Sequence, residues 1–69
     1  MDNNESLHAL LGHISAIREE NDINNRIEML HLVNNSLPEC MKVDIPSLVT
    51  NAYIRKAIDV IEERLLVAA

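Results

Sequence analysis

Apolar residues recur along this chain in three runs of helical period. In the first, Leu7, Leu10, Leu11, Ile14 and Ile17 follow one another at steps of three, one, three and three. That spacing places them on one face of an amphipathic helix. Arg18-Glu19-Glu20-Asn21-Asp22 breaks the stripe. Asn21 or Asp22 is suited to cap a second helix, because a short side-chain oxygen can accept from the free N–H groups of a first turn. Ile23, Ile27, Leu30, Val33 and Leu37 carry the period on, widened by Met29 and Leu32. Pro38 ends it, since a proline disfavours helical backbone at the preceding residue. So short a junction predicts that the two helices pack as an antiparallel hairpin.

Residues 38–46 read as the one linker. Lys42-Val43-Asp44-Ile45 alternates polar and apolar but is too short for a strand, and Met41, Val43 and Ile45 could cover the open end of the hairpin. A third helix follows. Either Asp44 or Ser47 caps it, with Pro46 tolerated at or before its first turn, or it begins near Thr50 or Asn51. Its apolar positions are Leu48, Ala52, Ile54, Ala57, Ile58, Ile61 and Leu65, flanked by Tyr53, Val60 and Leu66. Val60, Leu66 and Val67 lie off the main stripe. That excess predicts a homodimer in which third helices meet, with Ile54, Ile58, Ile61 and Leu65 at the interface.

Two smaller features concern the first helix. Residues 1–4 are polar and expected to fray, with Asn3, Asn4 or Ser6 as candidate caps. Gly12 interrupts the helical stretch at a cost of about 1 kcal/mol relative to Ala. It is either a tolerated defect or a place where another helix comes close.

Size sharpens the expectation of association. At 69 residues the chain is a single domain. A chain this short buries about 60% of the surface it exposes when unfolded, and its core supplies roughly 3–5 kcal/mol unless something adds to it. Cys40 is the only cysteine, so no disulfide closes within one chain, and a lone thiol suits a reducing, cytoplasmic setting. No secretory leader is evident at the N-terminus. The longest apolar run, Leu65 to Ala69, is far below the roughly 20 residues that span a bilayer, so no membrane contact is expected.

Six basic residues face eleven acidic ones, a formal net charge of -5. Arg18, Arg26, Lys42, Arg55, Lys56 and Arg64 are scattered in sequence, and Tyr53 is the single aromatic residue. Such a chain is repelled by a phosphate backbone and has little to stack on bases, so direct nucleic-acid binding is disfavoured.

Candidate chemistry is sparse. His8 and His13 are five residues apart, about 500° around a helix, and point in different directions. His31 and Cys40 could join them only through tertiary packing, whereas a structural zinc site normally takes four ligands in paired spacings. Glu39 beside Cys40 disfavours a thiolate. Glu19-Glu20 and Glu62-Glu63 diverge by about 100° within each pair and read as solvated faces. With Gly12 the only glycine, no phosphate loop is present. The chain is therefore expected to be no enzyme and to need no cofactor or metal. Arg55-Lys56 is the one adjacent cationic pair. It can form ion pairs with Asp59, Glu62 or Glu63 at helical spacing. Alternatively Tyr53, Arg55 and Lys56 form a partner-binding spot for an acidic patch.

Ile54-Arg55-Lys56-Ala57-Ile58-Asp59-Val60-Ile61 resembles the last helix of the AriR/YmgB-type family of small biofilm and acid-stress regulators. In that family an Ile-Arg-Lys triplet is followed by a small residue, an aliphatic, an acid and two aliphatics. Leu11-Gly12, Asp22, Asn24-Asn25 and Leu30 are compatible with the same order, and the likeness touches about half the chain. The resemblance implies a dimer of short helices that acts as a connector in two-component signalling through the Rcs phosphorelay, on a response regulator and without catalysis. The linker at 38–46 is longer than the family's join between its last two helices, which puts the placement of the third helix in question. The acidic balance argues against carrying over the DNA binding considered for that family.

The expectation is thus an all-α protein: an antiparallel hairpin plus a longer C-terminal helix, forming a dimeric bundle. Its function would be that of a regulatory adaptor for a transcription regulator or signalling component. The alternative is an acidic inhibitor or antitoxin-like protein that masks a basic surface of its target.

Overall fold

The computed structural model describes residues 3–68. They form three α-helices, α1 (Asn3–Glu19), α2 (Ile23–Ser36) and α3 (Asn51–Ala68), with one 3-10 turn at Glu39–Met41. Among the described residues there is no strand. The all-α expectation holds. α1 is already helical at Asn3, ahead of the caps considered at Asn4 and Ser6, and residues 1 and 2 lie outside the described residues.

The α1–α2 boundary is set by Asp22. Its backbone is extended, and its carboxylate accepts from the Asn24 N–H at 2.8 Å and the Asn25 N–H at 3.4 Å. Two orphan donors of the first turn are thereby satisfied. The three residues between the helices fold α2 back against α1. At the far end Leu37, pushed into extended geometry (φ −85°, ψ 151°) ahead of Pro38, closes α2 and buries its own side chain.

Of the two possible starts for α3, the later one is adopted. Thr50 caps it, accepting the Tyr53 N–H on Oγ1 at 3.1 Å, while its carbonyl takes the first helical bond from Ile54. Leu48 therefore lies before the helix and is 82% exposed, not part of the apolar stripe. The linker still performs the covering role, since Met41, Val43 and Ile45 pack against the core together with Val49 and Tyr53.

That core is one cluster: Ile14 and Ile17 from α1, Leu30, Val33 and Leu37 from α2, and Ile54, Ala57, Ile58, Ile61 and Leu65 from α3. The helical periods select these positions, and each buried aliphatic contributes about 1.5–3 kcal/mol. The placement corrects the expected dimer face. Ile54, Ile58, Ile61 and Leu65 are buried within the protomer itself, between the hairpin helices, because a short hairpin cannot otherwise cover its two stripes. The residues left outside are Leu66 and Val67, at 57% and 80% exposure, and part of Val60. Gly12 is exposed, and a Cβ built there meets nothing within 4 Å among the described residues, so no other helix of the protomer comes close to it.

Two consequences are measurable. Ile58→Ala removes atoms from the centre of the core and costs about 2–5 kcal/mol, as much as a core this small supplies. Circular dichroism should show a largely unfolded chain at 25 °C, whereas a residue used only between protomers would leave the helix signal intact. Gly12→Ala should stabilise by about 1 kcal/mol, read as a raised thermal midpoint.

Candidate partner-binding surfaces

The three residues expected to form one partner-binding spot do not share a face. Along α3, Tyr53, Lys56, Val60 and Arg64 point toward the linker and line a surface hollow with Lys42, Val43 and Asp44. Arg55 is about 200° from Tyr53 around the helix and lines a different cleft, beside the ends of α1 and α2. Tyr53 is half-buried, and its hydroxyl donates to the Asp44 carbonyl. It anchors the linker and does not stand free as an aromatic contact. Arg55 and Lys56 are exposed, and neither forms an ion pair with another described residue.

Asp59, the acid at helical spacing from that pair, is taken by another cation. Arg18, in the last turn of α1, reaches across to α3 and bonds Asp59 at 2.7 Å and Glu62 at 2.9 Å. Asp59 and Glu62 are one turn apart on the same face, so one planar guanidinium can serve both. The bond to Glu62, then that to Asp59, raises the Arg18 pKa above its ordinary value, so the side chain remains charged throughout the working range. Of the two glutamate pairs, only Glu19 and Glu63 are exposed. Glu20 accepts the Asp22 N–H at 3.1 Å.

Three more polar side chains tie elements together. Arg26 donates through Nε to the Ile17 carbonyl at 3.1 Å and through Nη1 to Asn51 Oδ1 at 2.6 Å, joining α1, α2 and α3 at one corner. Asn34 pairs with the linker at both ends of its amide, donating to the Val43 carbonyl at 3.0 Å and accepting the Val43 N–H at 2.9 Å. Arg64 donates to the carbonyls of Met41 and Lys42 at 3.1 and 3.3 Å. These roles are not legible in the hydrophobic pattern, although local misfit hints at two of them. Arg26 places a cation at the start of α2, where the helix dipole disfavours it, and Asn34 is a poor helix former inside α2. Each is repaid by bonds outside its own helix.

Besides the exposed Leu48 ahead of α3, apolar surface is found in two grooves. Cys40, Met41, Val60, Glu63, Arg64 and Val67 line an open groove along the outer side of α3. His13, Met29, Leu32, Val33 and Ser36 line a smaller one between α1 and α2, beside Leu32 at 66% exposure. His8, His13, His31 and Cys40 are exposed. No group of three or more His, Cys, Asp or Glu side chains among the described residues is arranged to hold a metal, and no described helix is long and apolar enough to cross a membrane. Comparison with protein-family models, curated proteins and solved structures finds no match.

The Arg18 clamp is half-exposed, so screening limits its worth. Arg18→Gln should lower the unfolding free energy by about 0.5–1 kcal/mol. The difference should shrink in 1 M NaCl, where the Debye length is about 3 Å. Paired urea titrations at the two salt concentrations measure both.

Proposed function

We propose that this chain is a small, non-enzymatic regulatory adaptor that works as a homodimer and binds a protein partner, a transcription regulator or a signalling component. One observation carries the reading. The outward side of the C-terminal half of α3 presents Leu66 at 57% and Val67 at 80% exposure beside the groove that Val60 and Met41 line. Exposed apolar surface continuous with a groove is what an associating protein retains. A core of this size also gains from association, because whatever binds only the folded state stabilises it. The dimer contact is therefore assigned to Val60, Leu66 and Val67, since the stripe of Ile54, Ile58, Ile61 and Leu65 is occupied within the protomer.

The resemblance to AriR/YmgB-type regulators supplies the specific form of this reading: a connector in phosphorelay signalling that bears on biofilm and stress genes. The acidic-inhibitor reading draws less support. Asp59 and Glu62 are both bonded to Arg18, which cancels one of their two charges and leaves fewer free carboxylates on α3 to mimic a polyanion.

Sedimentation equilibrium tests the dimer. Wild-type protein should sediment as a dimer, and Leu66→Ser combined with Val67→Ser should yield a monomer of unchanged helix content. A wild-type monomer at high concentration would remove the dimer from the reading. For the partner, affinity capture from a native lysate should recover a defined protein with wild type and lose it with Lys56→Glu or the serine double variant. Equal recovery by all three, or none by any, counts against the adaptor role.

A further inference from the structure

The cleft at the corner where α1 ends and α2 and α3 begin collects cations that the linear sequence scatters. Three of the chain's six basic side chains, Arg18, Arg26 and Arg55, line one hollow of about 600 Å³. Their charges are not matched alike. Arg18 is paired with Asp59 and Glu62. Arg26 is held only by neutral acceptors, the Ile17 carbonyl and the Asn51 amide oxygen, which fix its orientation and leave its charge unpaired. Arg55 lies one turn beyond Asn51, on the same side of α3. Its helical partner at four residues, Asp59, is already bonded to Arg18. Two guanidinium groups thus share a cleft without an ion pair to any described residue, in a chain with eleven acidic residues. The unpaired acid in the lining is Glu20, which accepts from the Asp22 N–H.

We propose that this cleft receives a carboxylate side chain from an acidic segment of a protein partner, with Arg55 as the principal donor and Arg26 as the oriented second one. The inference rests on the adaptor reading for the identity of the carrier. Charge selects the ligand. The lining sets Arg18, Arg26 and Arg55 against Glu20 and Asp59, and Glu62 beside it shares Arg18. The cleft therefore has no surplus charge for a dianion but offers two unpaired guanidinium groups to a monoanion. A phosphate dianion would be opposed by Glu20 and by the net charge of -5. Planar guanidinium donors also match the two oxygens of a carboxylate. Arg26 is pre-oriented by two bonds to helix ends, which lowers the ordering cost of binding.

The test is an NMR titration of isotope-labelled full-length protein at constant ionic strength. The probe is an acetylated, amidated peptide of alternating Asp and Gly residues, with inorganic phosphate as a separate arm. Saturable shifts of the Asn51 and Arg55 amides and of the Arg26 and Arg55 Nε–H signals are expected with the peptide. Arg55→Gln should weaken binding by about tenfold, and Arg55→Lys should weaken it as well, because the fork is lost although the charge remains. The exposed position of Arg55 should leave helix content unchanged in both. Absence of saturable shifts, equal affinity in Arg55→Gln, or tighter binding of phosphate than of peptide would overturn the assignment. So would concentration-dependent shifts at these amides without peptide, which would give the cleft to a second copy of the chain. A partner captured equally by wild type and Arg55→Gln would exclude the cleft from the interface while leaving the adaptor reading in place.

Discussion

The structure depends on α3 serving as the third wall of a hairpin that cannot close its own core. α1 contributes only Ile14 and Ile17 to the fully buried set, and α2 contributes Leu30 and Val33, with Leu37 at its end. Two such stripes facing each other would leave one edge of each open to water. Ile54, Ile58, Ile61 and Leu65 enter that opening at steps of four, three and four, so one turn after another of α3 seals it. Fold stability and placement of α3 are therefore the same quantity, and everything that positions α3 matters beyond its own bond energy.

Positioning falls to the polar side chains. The segment between α2 and α3 has little regular structure, and its backbone groups must find partners elsewhere. Asn34 takes both backbone groups of Val43, Tyr53 donates to the Asp44 carbonyl, and Arg64 donates to two carbonyls beside the 3-10 turn. These bonds let the apolar side chains of Met41, Val43 and Ile45 lie on the core. At the opposite corner Arg26 sits against the C-terminal end of α1, where a cation complements the helix dipole. The cations of this chain thus act largely on its own backbone and carboxylates, which limits those left for a partner.

Hydrophobic spacing made the helices and nearly every core position legible, and Asp22 and Pro38 marked the ends of α2. What it could not convey is which of several equivalent partners a charged side chain takes. Asp59 sits at favourable helical distance from Arg55 and Lys56, yet Arg18 claims it together with Glu62, because tertiary packing brings Arg18 onto their face. The same limit hid the division of Tyr53 from Arg55, since residues two apart in a helix are nearly opposite. Ile54, Ile58, Ile61 and Leu65 are buried within the protomer and not at the dimer face that their stripe suggests. Their pattern correctly announced burial, but periodicity does not say whether the covering surface belongs to the same chain or another. Gly12 was ambiguous for a related reason, because a missing side chain signals close approach only if something approaches.

The surface open to the proposed association is consequently what the intramolecular bonds leave over. The outer side of α3 near Leu66 and Val67 is apolar, whereas the corner around Arg26 and Arg55 is cationic, and the two lie toward opposite ends of that helix. Apolar contact is non-directional and suits pairing of like surfaces, as in a two-fold dimer. Oriented guanidinium groups favour a partner that presents a carboxylate in register. On the proposed reading, one helix serves two associations without competition between them. Because both surfaces depend on the seating of α3 in the hairpin, a change that loosens the core would be felt at both.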